Sequence, residues 1–212
     1  QSVNIVVKIL FVINLLRIKK SKLSNFLIVI ILSYLYVDLF SFTLHLYFDN
    51  RKTINDIFMT NYAKEFQLHH KNPIGAISYN HVGLLNPLLT VVLLLITLYS
   101  VNNNVLIFTL SSVILSYITL ANHAYCHAKR HNIVDKNNYE YNLFLFFQKH
   151  GIFISDEYHA KHHQTLNSNF SFLYGFDKLY LKLWNKTHNY KLLQIIFYLI
   201  NPILVTLIII WK

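Results

Sequence analysis

The sequence predicts an all-α fold, a multi-pass membrane helical bundle of about four or five spans with a histidine-lined site at one membrane face. Three observations carry this expectation. Of 212 residues, 54% are hydrophobic and 13% charged, with four glycines and three prolines, the reverse of a disordered composition. Apolar runs of roughly the 20 residues needed to cross a bilayer recur along the chain. Nine of the twelve histidines (His45, His69, His70, His81, His123, His127, His159, His162 and His163) stand at or just beyond the ends of those runs.

Residues 3–16 are apolar but short and include Lys8. No small-residue cleavage site follows, so they read as a truncated first transmembrane helix rather than a signal peptide. The opening Gln1, in place of Met, fits a missing upstream piece. Arg17, Lys19, Lys20 and Lys22 form a basic loop, and the second span covers about 23–45. Its far end holds Asp38 and His45, and ionisable residues within a membrane are functional candidates by default.

Residues 46–83 are mixed and polar. Asn86-Pro87 opens a third span, about 86–101, because proline suits the first position of a helix. After a turn at Asn102-Asn103-Asn104, a fourth span, about 105–122, runs into His123 and His127. A polar and aromatic stretch, 128–190, carries His159, His162 and His163. The last apolar run, about 192–211, is interrupted at Asn201-Pro202, where a kink is expected. With no linker, repeat or low-complexity tract, residues 1–212 read as one membrane domain.

If spans two, three and four all cross, segments 46–83 and 123–190 share one side of the membrane. His45 then ends its span on that side, so all nine histidines converge on one face. Most of the Lys and Arg also lie in those segments, which argues that this face is cytoplasmic; the basic loop 17–22 argues the other way. The net charge of +10 is scattered between apolar spans. That distribution fits anionic headgroups and excludes a nucleic-acid partner, which needs a basic soluble surface. The single cysteine, Cys126, excludes an internal disulfide and disfavours a thiolate metal site; it reads as a small packing residue.

His123 and His127 are spaced i,i+4 and project from one helix face. His159, His162 and His163 supply further i,i+3 and i,i+4 pairs, and the adjacent His162-His163 can reach two neighbouring metals. His69-His70 offers a second adjacent pair. So many imidazoles exceed what one tetrahedral zinc uses and suit two iron ions with positions open for dioxygen. Zinc-protease chemistry is excluded because no H-E-x-x-H occurs, and no G-x-S-x-G supports a serine hydrolase. Asp38 and Asp49 lie seven before and four after His45, on one helical stripe. Both are candidates to support metal-bound histidines, and Asp49 is also a candidate ligand. His131, His150 and His188 read as interfacial or solvated.

The ordered set Asp38-x-x-Ser41-x-x-x-His45-x-x-x-Asp49, His69-His70-x-x-Pro73, His123-x-x-x-His127, and Gln148…Gly151…His159-x-x-His162-His163 with Gly175 beyond resembles the Kua-type lipid desaturase family over about residues 30–180. That family includes the plasmanylethanolamine desaturase and the plastid palmitoyl-phosphatidylglycerol desaturase. The chain departs from its pattern at Leu46, Asn72, Leu120 and Phe176, and the stretch from Pro73 to His81 is longer than the family's. The resemblance implies a multi-span membrane enzyme with two non-haem Fe2+ ions held by histidines and O2 as co-substrate. It implies introduction of a double bond into a membrane lipid, with the vinyl-ether bond of plasmalogens the leading case. No His-Pro-Gly-Gly haem-binding element occurs, so electrons are expected from a separate cytochrome b5-like or ferredoxin-like donor. In a eukaryotic cell the expected location is the endoplasmic reticulum membrane. The alternatives are a lipid or sterol hydroxylase on the same centre and a non-catalytic metal-binding or metal-transporting membrane protein. Transport would place ligands midway through the spans.

Overall fold

The computed structural model describes residues 9–10, 12–14, 23–73, 103–133, 137–165, 177–184, 189–196 and 198–199. Among these there are helices and no strands. The helices are α1 (Leu23–Phe48), α2 (Thr60–Lys71), α3 (Asn103–Arg130), α4 (Tyr139–Lys149), α5 (Asp156–Thr165) and α6 (Asp177–Trp184), with a 3-10 turn at Arg51–Asn55 between α1 and α2. The expected third span, most of the first and most of the last lie outside the described residues, as do His81, His188 and Gly175.

Two helices, α1 from Asn25 and α3, are long and apolar enough to cross a membrane. Their polarity is inverted relative to a water-soluble helix. On α1, Ile31 is 58% exposed while Ser33, Asp38 and His45 are fully buried. On α3, Ile114 and Tyr117 face outward while Ser112, Thr119 and Asn122 are buried. Lipid accepts the aliphatic side chains, and the polar ones must find partners inside. Ser33 Oγ accordingly lies 2.8 Å from the Val29 carbonyl and 3.2 Å from that of Phe108. Thr43 and Thr109 bond back to carbonyls one turn earlier, a local solution open to hydroxyls in apolar helices.

The chain divides into two compact units, one drawn from Gln1–Val37, Asn80–Ile118 and Ile200–Lys212, the other from Asp38–Tyr79 and Thr119–Leu199. Val29, Val105, Ile107 and Phe108 form a core cluster in the first. In the second, Tyr47, Phe48, Ala63 and Leu193 are packed by Phe40, Leu44, Met59, Phe66, Tyr190 and Tyr198.

Buried Asp56 ties this second core together. Its carboxylate accepts from Tyr47 Oη, from Gln194 Nε2 at 2.7 Å, from Tyr198 Oη at 2.9 Å, and from the Phe58 and Met59 amides at 2.9 and 3.1 Å. Those amides precede α2, so the carboxylate also supports the start of that helix. Burial alone would raise the carboxyl's pKa; these bonds outweigh it and hold the group down at about 2.

Helix ends set where the functional segments begin. α3 closes with Asn132 at φ 52°, its amide 3.2 Å from Lys129 O and that of Ile133 3.0 Å from Ala128 O. α4 closes the same way at Gly151, φ 70°, with Gly151 N to Gln148 O at 3.1 Å and Ile152 N to Phe147 O at 2.9 Å. Both are the left-handed terminator in which the two residues past the cap satisfy the last carbonyls. Four residues beyond Gly151, Ser155 Oγ accepts from Tyr158 N at 3.2 Å and caps α5.

Candidate metal centre

The site is assembled in the second unit from the last turns of α1 and α3 and from the short polar helices α2 and α5. Gln67 of α2 donates to Phe48 O at 2.9 Å and to Asn50 O at 3.3 Å, satisfying carbonyls left open at the end of α1. Two and three residues on, His69 and His70 point into the site. α5 presents His159 and His163 at i,i+4 spacing, and His162 at a different angle.

The side chains fall into two sets. His69, His123, His127, His159 and His163 form one; His45, Asp49, His70 and His162 form the other, and in each the ligand atoms lie within 4.8 Å of one another. α2 and α5 contribute to both sets, α3 only to the first, and α1 with the residue after it only to the second. Convergence on one face was expected from span parity, and the C-terminal turns of both long helices do meet here.

The first set is built from Nε2 atoms. His127 Nε2 lies 3.1 Å from that of His69, 3.0 Å from that of His123 and 3.0 Å from that of His159. His69 and His123, and His159 and His163, are also 3.0 Å apart. An imidazole nitrogen carries either one proton or one lone pair, so His127 cannot satisfy three neighbours by hydrogen bonding. Lone pairs aimed at a shared cation would satisfy all of them. Nitrogens bound at about 2.1 Å and a right angle apart stand about 3.0 Å from each other, whereas tetrahedral angles give about 3.4 Å. The observed spacing therefore fits a five- or six-coordinate ion better than tetrahedral zinc.

In the second set Asp49, with a side chain 4% exposed, sits between three rings. His70 Nε2 is 2.6 Å from Oδ1, while His162 Nε2 and His45 Nδ1 are 3.2 and 3.4 Å from Oδ2. Burial alone would raise the Asp49 pKa, but bonds from His162, His45 and His70 outweigh it and hold the carboxyl well below the usual range. Burial first, then neighbouring imidazoles, pushes His69 down to about 3 and His163 to about 2, and holds His159 well below its ordinary value. These rings are neutral near pH 7, the state that can donate a lone pair to a metal.

A cavity of about 180 Å³ opens beside the first set, lined by His70, His127, His159 and His163 and, farther out, by Arg130 and His131. At about 30 Å³ per water, it has room for several small molecules.

Eight of the nine expected ligand histidines are thus brought together, and His81 lies outside the described residues. Asp49 groups with the second set. Asp38 is fully buried in α1 and belongs to neither set. His131 is exposed; His150 is also exposed, its ring tilted against that of Phe146 with centroids 4.1 Å apart. Cys126 is buried, belongs to neither set, and has its Sγ near Gln148 Nε2 and the Ile154 carbonyl while the residue also lines the cavity. Asn122 and Gln148 form a further buried pair; Gln148 stands in the ordered set that resembles the family, and the sequence assigns neither a role. The pair's sequence signal is an amide beside the His123 box and another in the last turn of an aromatic helix.

By its described residues the chain falls in the class of helical membrane proteins with histidine clusters compatible with metal binding. Within that class a family model described as lipid desaturase domain matches residues 34–195, and the chain belongs to that family. No curated protein and no solved structure matches the chain.

Proposed function

We propose that the chain is a membrane di-iron lipid desaturase. The observation that carries the reading is the division of eight histidines and Asp49 into two adjoining ligand sets in a chain of the lipid desaturase family. His69, His123, His127, His159 and His163 would hold one ion, and His45, His70, His162 and Asp49 the other; His81 is a further ligand candidate on sequence grounds. When bound, two ferrous ions supply the dioxygen chemistry that no side chain provides: a –CH2–CH2– unit, O2, two electrons and two protons yield –CH=CH– and two waters.

The chain's own residues position and tune. Asp49 provides the only formal negative charge among the ligands found in the described residues. The adjacent pairs His69-His70 and His162-His163 link the two sets through single helices. The cavity beside His127 and His163 gives small molecules a way in, and the outward aliphatic faces of α1 and α3 suit contact with lipid chains. Electrons come from a separate cytochrome b5-like or ferredoxin-like carrier. In this reading the histidine face lies on the cytoplasmic side, at the endoplasmic reticulum membrane in a eukaryote. The first product to test is a plasmalogen vinyl ether.

Mass spectrometry of lipids from expressing cells tests the reading. A product lighter by two hydrogens, absent with His162→Ala, is expected. A gain of one oxygen would assign hydroxylation instead. Lipids unchanged by the wild-type chain under aerobic expression, with mixed substoichiometric metal, would favour a non-catalytic metal-binding protein.

A further inference from the structure

The last turns of α3 carry two parallel stripes. His123, His127 and Arg130 face the five-imidazole set and its cavity. Beside them, at the same spacing, Asn122, Cys126 and Lys129 face α4 and the start of α5. This second stripe begins with polar groups in an interior position: Asn122 is 0% and Gln148 6% exposed. Gln148 Nε2 donates to Asn122 Oδ1 at 2.9 Å, and Asn122 Nδ2 donates to the Ile154 carbonyl at 3.2 Å. Cys126 Sγ approaches the same carbonyl at 3.8 Å.

Two apolar side chains of the same shape would fill this space with little or no loss of stability. What the amides add is direction, because Asn122 can donate to Ile154 O in only one register. Ile154 immediately precedes Ser155, the cap of α5, and His159 N bonds to Ser155 O at 3.1 Å. Pinning that carbonyl therefore sets how far along α3 the next helix begins. His159 then stands 4.5 Å from His123 and 4.7 Å from His127, between ring centroids.

We propose that Asn122 and Gln148 are positioning residues for the five-imidazole ion, holding α5 in the register that closes His159 and His163 onto His123 and His127. The proposal rests on the metal reading given above. It is selective because that set takes two ligands from α3 and two from α5, whereas the other takes one from α5 and none from α3.

The test is calorimetric titration of the full chain, purified in detergent and stripped of metal, with ferrous iron under nitrogen. Asn122→Leu and the size-matched Gln148→Met should each weaken one of two binding steps about 10- to 100-fold. The weakened step should be the one His123→Ala also weakens, and the step His45→Ala weakens should shift less. Because the two amides act as a unit, the double variant should be no worse than the weaker single. Should Asn122→Leu fail to fold, Gln148→Met decides. Unchanged iron affinity in the folded variants, or equal destabilisation of the metal-free and iron-bound forms, overturns the proposal while leaving the metal reading intact. A wild-type chain that takes up no iron overturns both.

Discussion

Neighbouring residues of α2, His69 and His70, belong to different ligand sets, so replacing each alone should weaken the hold on a different ion. His69→Ala leaves four imidazoles in the first set. His70→Ala leaves His45, His162 and Asp49, a two-histidine, one-carboxylate remnant that still binds ferrous iron but with fewer donors. With iron at 100 times the dissociation constant, a bound ion stabilises the fold by about 2.7 kcal/mol. If a lost ligand weakens its site about 100-fold, the same iron concentration yields only about 0.4 kcal/mol. Each variant should therefore lose about 2.3 kcal/mol of iron-dependent stabilisation, roughly 5–9 °C in Tm for a chain of this size. The assay is thermal unfolding in detergent with and without ferrous iron under nitrogen. Both singles should retain about half of the wild-type iron-induced shift, and the double variant almost none. A single variant with the full shift, or a double variant no worse than either single, would refute the division into two sets.

Other expectations follow from the same contacts. Asp56→Ala strands buried donors from Tyr47, Gln194, Tyr198 and two backbone amides, and should cost about 3 kcal/mol or more in a denaturation series. Lys129→Ala removes the half-exposed ion pair to Asp156 and should cost under about 1 kcal/mol, with iron binding unchanged. The metal-free chain should lose stability as pH falls from about 6.5 towards about 3, because the unfolded chain takes up protons that folded His69 excludes. Asp56 adds a further loss on its own account: its stabilisation is complete above the ordinary carboxyl value of 3.8 and disappears as pH falls through about 2. A pH series of melts on stripped protein checks both; a flat profile between pH 7 and 4 would contradict the burial of these rings.

Much of the site was legible because its histidines mark the ends of strongly apolar segments. His45 closes one such run, His123 and His127 follow another, and the span parity predicted from the sequence sends them to the same face. The four short helices were harder to see. α5, DEYHAKHHQT, has no apolar stripe, and its helix is set by the Ser155 cap and by packing of its own ligands. α3 runs eight residues beyond the expected end at 122 because hydrophobicity falls there while the helix continues through its histidine-bearing turns. The adjacent pairs His69-His70 and His162-His163 signal two metals from spacing alone, but which histidine joins which set could not be read, since the directions of His162 and His163 depend on how α5 docks on α3. The Asp56 hub was missed for a related reason: its donors at Tyr47, Gln194 and Tyr198 come together only in the folded chain.

The most direct test of the central claim is iron quantitation on the purified chain reconstituted anaerobically with ferrous iron and freed of loosely bound metal. Two irons per chain, falling to one in His123→Ala and to one in His45→Ala, is the expected result. A single tightly held metal, or two irons surviving both substitutions, would contradict it.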